Sequence, residues 1–319
     1  MRVCLILVLA SLAACADEAH RARDFESHKE TEIAALTARG TPQSLATASL
    51  LSILPGKFTT GSRSQQLIDR AVALEPSAAL LYVQWRECAS AACPDEERII
   101  AHLKAIDPEN GLAWLPQLQT ASDHGSASEI TQALEKIGAS KYMSIYWNSL
   151  LVMMVDEQAA TKLRFGKSAQ KEDPFWRMTF AIGILSAISI PPLQPMGKSC
   201  RLDQIEQPGR RTACEAMTAR LMESDNVLMQ SLGISIQEKW WPEGSPEHER
   251  LHAQHQQLYY VLQASDGTRI LHVSEDAAAR LEAMRRSNRE IDAMQAMLIF
   301  YHKPLQRPVN WEDPYLRHE

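Results

Sequence analysis

The chain has 319 residues, 45% of them hydrophobic and 6% aromatic, which is enough for one large domain or two smaller ones around a sizeable core. Its formal charge is −6 and it carries no Lys/Arg block, which argues against a nucleic-acid binder. Thirteen glycines and few alternating β-branched stretches argue against a large sheet, so the expected fold class is all-α.

The first element is short and apolar. Met1-Arg2-Val3 carries one positive charge, Leu5 to Leu9 form an apolar core, and Leu12-Ala13-Ala14-Cys15 closes the segment. A bilayer span takes about 20 residues, so Val3 to Ala14 reads as a cleaved export signal instead. The segment resembles a bacterial lipoprotein signal peptide ending in a lipobox. That resemblance implies removal of residues 1–14 and lipidation of Cys15, which makes the membrane a partner through the lipid anchor. Ala16 stands where an aspartate would favour inner-membrane retention, so the resemblance implies the outer membrane, with the body facing the periplasm. Ordinary secretion, with cleavage after Ala16 and no lipid, is the alternative. No later apolar run reaches spanning length; Met178 to Ile190 stops at Pro191-Pro192 and reads as a core helix.

Residues 15–31 are polar and read as a tether or a frayed first helix. Helical spacing then begins with Ile33, Leu36, Leu45, Leu50 and Leu51, broken at Gly40-Thr41-Pro42. An internal echo follows. Ala73-Leu74-Glu75-Pro76 recurs as Ala105-Ile106-Asp107-Pro108, 32 residues on, with Tyr82 matched by Trp114 and Ile68 by Ile100. A weaker third copy matches Leu134 and Ile137 to Leu103 and Ile106 at an offset of 31. Such a period indicates stacked helix pairs. From Ser64 to Asp156 the pattern resembles the tetratricopeptide family. The resemblance implies that Pro76 and Pro108 end second helices, and that Tyr82 and Trp114 open first helices. Ala71 supplies the small residue expected before the proline, whereas Leu103 replaces it in the next copy. The expected organisation is a repeat region at 32–165, a further helical region at 166–301 and an extended tail at 302–319.

In the second region Asp173-Pro174 starts a helix, Pro192 to Pro208 is a linker, and Arg210 opens a helix with Cys214, Met217 and Leu221 on one face. Ser245-Pro246-Glu247 is a helix start, and that helix stops at Asp266-Gly267. Ser274-Glu275-Asp276 begins another, restarting near Ser287 or Asn288. Four cysteines remain after Cys4 and Cys15: Cys88, Cys93, Cys200 and Cys214. An even number in an exported chain suggests two bridges. Three connectivities are open, and the local one, Cys88–Cys93 with Cys200–Cys214, is the most economical. A metal site is the rival reading, but neither pair has C-x-x-C spacing.

One motif looks like chemistry. His248-Glu249-Arg250-Leu251-His252 matches H-E-x-x-H on a predicted helix. That spacing sets two imidazoles on one face to bind zinc, with Glu249 poised to activate water. His255 extends the stripe. The surroundings are polar, and the nearest downstream acids for a third ligand are Asp266, Glu275 and Asp276. The competing reading is a polar helix face opposite Leu251, Leu258 and Leu262. No nucleophile elbow occurs. The expectation is therefore a non-enzymatic, lipid-anchored scaffold or adaptor with no cofactor, binding an envelope or periplasmic protein, with an immunity lipoprotein as a variant. The alternative is a zinc-dependent hydrolase built on His248, Glu249 and His252.

Overall fold

The computed structural model describes residues 27–53, 62–91, 93–161, 174–188, 190–265 and 274–311. The signal segment and Cys15 lie outside the described residues. Those described form an all-α stack: α1 (27–39), α2 (Pro42–Ser52), α3 (Arg63–Leu74), α4 (Ala78–Ala91), α5 (Glu96–Ile106), α6 (Leu115–His124), α7 (Ala127–Ala139) and α8 (Trp147–Ala160). The chain continues through α9 (Pro174–Ile188), α10 (Gln194–Ser199), α11 (Arg210–Met222), α12 (Val227–Glu238), α13 (Pro246–Ser265), α14 (Ser274–Arg286) and α15 (Glu290–Phe300).

Local chemistry sets many of the boundaries. Thr41 caps α2 by accepting from the Ser44 amide, with Pro42 in the first turn. Ser62 caps α3 and Asn226 caps α12 in the same way. Glu75 and Asp107 close α3 and α5 ahead of Pro76 and Pro108, where the echoed motif places helix ends. Tyr82 is fully buried in α4. Trp114 departs from its counterpart: it ends a 3-10 turn, Gly111–Trp114, and precedes α6. Pro116 explains the difference, because a proline belongs in a first turn and starts α6 at Leu115. Residues 27–31 lie in α1, the helical one of the two alternatives for this segment. The 192–208 segment is not a plain linker either: α10 forms inside it, and Cys200 ends that helix.

Helices α2 to α7 stack in chain order, with the short turn Gly111–Trp114 bridging α5 and α6. α7 then packs on α11, α11 on α12, α12 on α13 and α13 on α15. From α15 the packing passes to α14, then to α8 and α9, and α8 returns to α2. α8 buries Trp147, Leu150, Leu151, Met154 and Val155, so residues on several sides of it face protein. One large core runs through most of the helices. A smaller one gathers Ile234, Leu251, Leu258, Tyr260, Val261, Ile291, Met294 and Leu298 between α12, α13 and α15.

Both local disulfides form, Cys88–Cys93 and Cys200–Cys214, with Cα separations of 5.0 and 5.7 Å. The tail up to Trp311 lies along α13. Tyr260 donates to the Pro304 carbonyl, Lys303 to the Ala264 carbonyl and Trp311 to Gln263.

Candidate functional site

α13 begins where its sequence dictates. Ser245 Oγ accepts from the His248 amide, Pro246 takes the first turn, and Glu247 and Glu249 complement the helix dipole there. His248, His252 and His255 fall on one face by helical spacing. α12 packs against that face, and its last residue, Glu238, supplies the group on which the three rings converge. His252 Nδ1 lies 2.9 Å from Glu238 Oε1, His255 Nδ1 3.3 Å from Oε2, and His248 Nε2 4.0 Å from Oε1. Side-chain exposure is 17% for Glu238, 18% for His248 and 14% for His255. His252 Nε2 meets Gln256 Nε2 one turn on in α13, and His255 Nε2 meets Ser231 Oγ on α12.

The geometry is carboxylate-centred. Glu238 occupies the place where the imidazoles meet, and among the described residues no group of three or more His, Cys, Asp or Glu is arranged to hold a metal ion. Glu249 points outward at 64% exposure, with one oxygen 3.7 Å from His248 Nδ1. Of the acids considered as a third ligand, Asp276 sits beside Tyr301. Asp266 and the side chain of Glu275 lie outside the described residues. Glu238 itself escaped sequence reasoning. It lies 14 residues before His252, and the 239–245 turn that folds it back carries no periodic signal.

A face of α12 that adjoins the one meeting the imidazoles walls a groove of about 1030 Å³. Leu193, Leu202, Leu232, Ile236 and Trp240 supply its apolar surface, and its charges are mixed: Lys198, Arg201 and Lys239 against Asp203 and Glu206. Trp240 is fixed by an Nε1–H bond of 2.8 Å to the Cys200 carbonyl, and Cys200 is in turn tied to Cys214 on α11. Arg201 pairs with Asp203 at 3.1 Å. Leu202 is 54% exposed, a large apolar side chain left in water beside an apolar cleft. Two signals for this groove were present in sequence, the Trp240-Trp241 pair and the Cys200–Cys214 spacing. Nothing in sequence joined them, because the contact spans 40 residues. No helix among the described residues is long and apolar enough to cross a membrane. No protein-family model, curated protein or solved structure matches the chain.

Proposed function

We propose that this chain is a lipid-anchored interaction protein of the cell envelope, held to the membrane through Cys15 and binding an envelope or periplasmic protein in the groove between α10 and α12. The groove carries the reading. It is large and mostly apolar, is edged by charges of both signs, and has one wall, the end of α10, tied by a disulfide to α11. The two disulfides fit an oxidising compartment, in keeping with an export signal. An immunity lipoprotein that blocks a toxin entering the periplasm is a specific form of the same reading.

Two measurements test it. Cys15→Ala moves the protein from the membrane to the soluble fraction of lysed cells; retention in the membrane rejects the anchor. A photo-crosslinking residue at Lys239, an exposed position in the groove wall, gives one discrete adduct in cells. The adduct disappears when Leu202→Glu is added, and a chain that yields none rejects the groove.

A further inference from the structure

We infer that the end of α15 and the segment after it form a bilayer-contact surface, which rests the body on the headgroup layer of an anionic membrane. Exposed apolar side chains concentrate there. Of the ten large hydrophobic residues that the described fold leaves exposed, four lie within eleven positions: Ile299 at 61%, Phe300 at 51%, Leu305 at 40% and Val309 at 102%. Isolated apolar residues on a surface are ordinary, whereas a run of them marks a contact.

Helical spacing explains how the run begins. α15 turns Ile291, Met294 and Leu298 to the small core and also buries Ala293 and Met297. Ile299 and Phe300 follow, so from Ala293 onward only Gln295 is polar, and a helix apolar on nearly every side belongs in apolar surroundings. The helix closes with His302 in the left-handed region, φ 54°. There the His302 amide donates to the Ile299 carbonyl and the Lys303 amide to the Leu298 carbonyl. The Phe300 and Tyr301 rings meet edge to face at this corner, with centroids 5.1 Å apart.

Beyond the corner, backbone groups are met by protein while apolar side chains stand in water. Pro304 and Pro308 have no amide hydrogen. The Pro304 and Leu305 carbonyls accept from Tyr260 and Gln257 of α13, at 2.7 and 2.8 Å, and the Arg307 amide donates to Gln257 Oε1 at 2.8 Å. The Trp311 amide donates to the Pro308 carbonyl. Irregular backbone enters a water-poor layer only when its polar groups are satisfied within the protein, and α13 satisfies these.

Charge selects a bilayer among apolar surroundings. From Ala293 to Trp311 the chain has no Asp or Glu, although its net charge is −6. Lys303 and Arg307 lie in that stretch. Among the described residues their contacts run to the Ala264 and Trp311 carbonyls and to the Tyr301 and Trp311 rings. Each keeps further N–H donors for phosphate oxygens. Asp276 sits beside Tyr301 at the edge, in the company of Arg280. Large apolar side chains, Tyr and Trp rings and cations together are the set that a membrane interface takes. The twelve residues from Cys15 to Glu26 extend at most about 40 Å, so a body lipidated at Cys15 stays within reach of the membrane. The inference rests on the envelope reading for where the chain meets a bilayer, and on the folded surface alone for the contact. One weak attachment does not hold a protein by itself, so the surface orients a body that the lipid retains.

The test is cosedimentation of the chain from Ala16 to Glu319, which contains every described helix and no Cys15, with phosphatidylethanolamine vesicles containing phosphatidylglycerol. The chain sediments in part at about 1 mM lipid, and less with phosphatidylcholine alone or in about 0.5 M salt. Val309→Glu and Phe300→Glu each weaken binding about fivefold or more, and Lys303→Gln combined with Arg307→Gln removes most of the salt dependence. Val309 has no packing to lose, which keeps the test intact if Phe300→Glu fails to fold. Leu74→Glu, at a comparably exposed apolar residue of α3, leaves binding unchanged. No sedimentation with any vesicle, or an equal loss from Leu74→Glu, overturns the surface. Normal vesicle binding by Val309→Glu overturns it too, and a change in that variant's oligomeric state without lipid then assigns the patch to a second copy of the chain. The assay contains no Cys15, so its failure is distinct from failure of the anchor.

Discussion

Single residues in the core carry charge questions that composition does not reveal. Glu87 lies in α4 at 2% exposure and accepts from the hydroxyls of Ser49 and Ser64. Burial pushes its carboxyl up to about 7, against the lowering effect of those two hydrogen bonds, and Asp69 adds to the rise. Glu32 is likewise pushed up to about 7 by burial. A carboxyl raised on folding stabilises the chain while protonated, below its unfolded value. That stability is lost as pH rises through the folded value. Glu87→Gln keeps a partner for both hydroxyls and cannot ionise. Chemical denaturation then finds the variant equal to the natural chain near about pH 5 and more stable near about pH 8, by on the order of 2 kcal/mol. Equal stability at both values rejects a neutral Glu87 in the fold.

Elements pack through small residues at defined places. Gly138 brings α7 onto α11 so closely that a Cβ there falls 2.5 Å from the Ala216 Cβ and 3.0 Å from backbone atoms of Ala216 and Met217. Gly233 does the same for α12 against the Thr218 carbonyl, at 2.8 Å. Backbone cannot yield as a side chain can. Gly138→Val therefore costs about 1–3 kcal/mol through overpacking, despite the better helix propensity of valine. Gly183 in α9 has nothing within 4 Å of such a Cβ, and Gly183→Ala gains up to about 1 kcal/mol. Thermal unfolding of the pair separates contact from propensity: a loss at both sites, or at neither, rejects the packing account.

At the scale of the whole molecule, buried carboxylates tie distant segments together. Asp225 accepts from Ser144 Oγ at 2.7 Å and from the amides of Ile145 and Trp147 at 2.9 and 3.2 Å, which satisfies the start of α8. Glu290 accepts from Asn226 and from the Val227 amide at the start of α12, and its own amide donates to the Asp225 carbonyl. Asp107 accepts from Tyr142, Tyr146 and Asn110, which holds the turn before α8 against the end of α5. Tyr146 takes a left-handed backbone, φ 57°, inside this knot. Asp225→Ala leaves the two buried amides and the half-buried Ser144 hydroxyl unmet and costs about 3 kcal/mol or more. Hydrogen exchange in that variant speeds up at the starts of both α8 and α12; a change confined to α8 rejects the knot as a shared joint.

Much of the helical layout was legible from sequence because its signals are local. Ser245-Pro246-Glu247 specifies the start of α13 through an N-cap, a first-turn proline and an acid, all within one turn. The Pro76 and Pro108 motifs mark helix ends because the bond that closes each helix spans four residues. The neighbouring cysteines pair locally because their loops are short. The all-α class follows from the same local patterns. What those helices touch was decided only in three dimensions. Pro116 sets the start of α6 in the second copy of the echoed motif, α8 joins α9 and α14 to α2, and Glu238 arrives beside His248 because the 239–245 turn folds α12 back against α13. Side-chain periodicity reports which face of a helix is apolar. It holds no information about which of many apolar faces meet, or about which lone acid a distant turn delivers to a row of imidazoles.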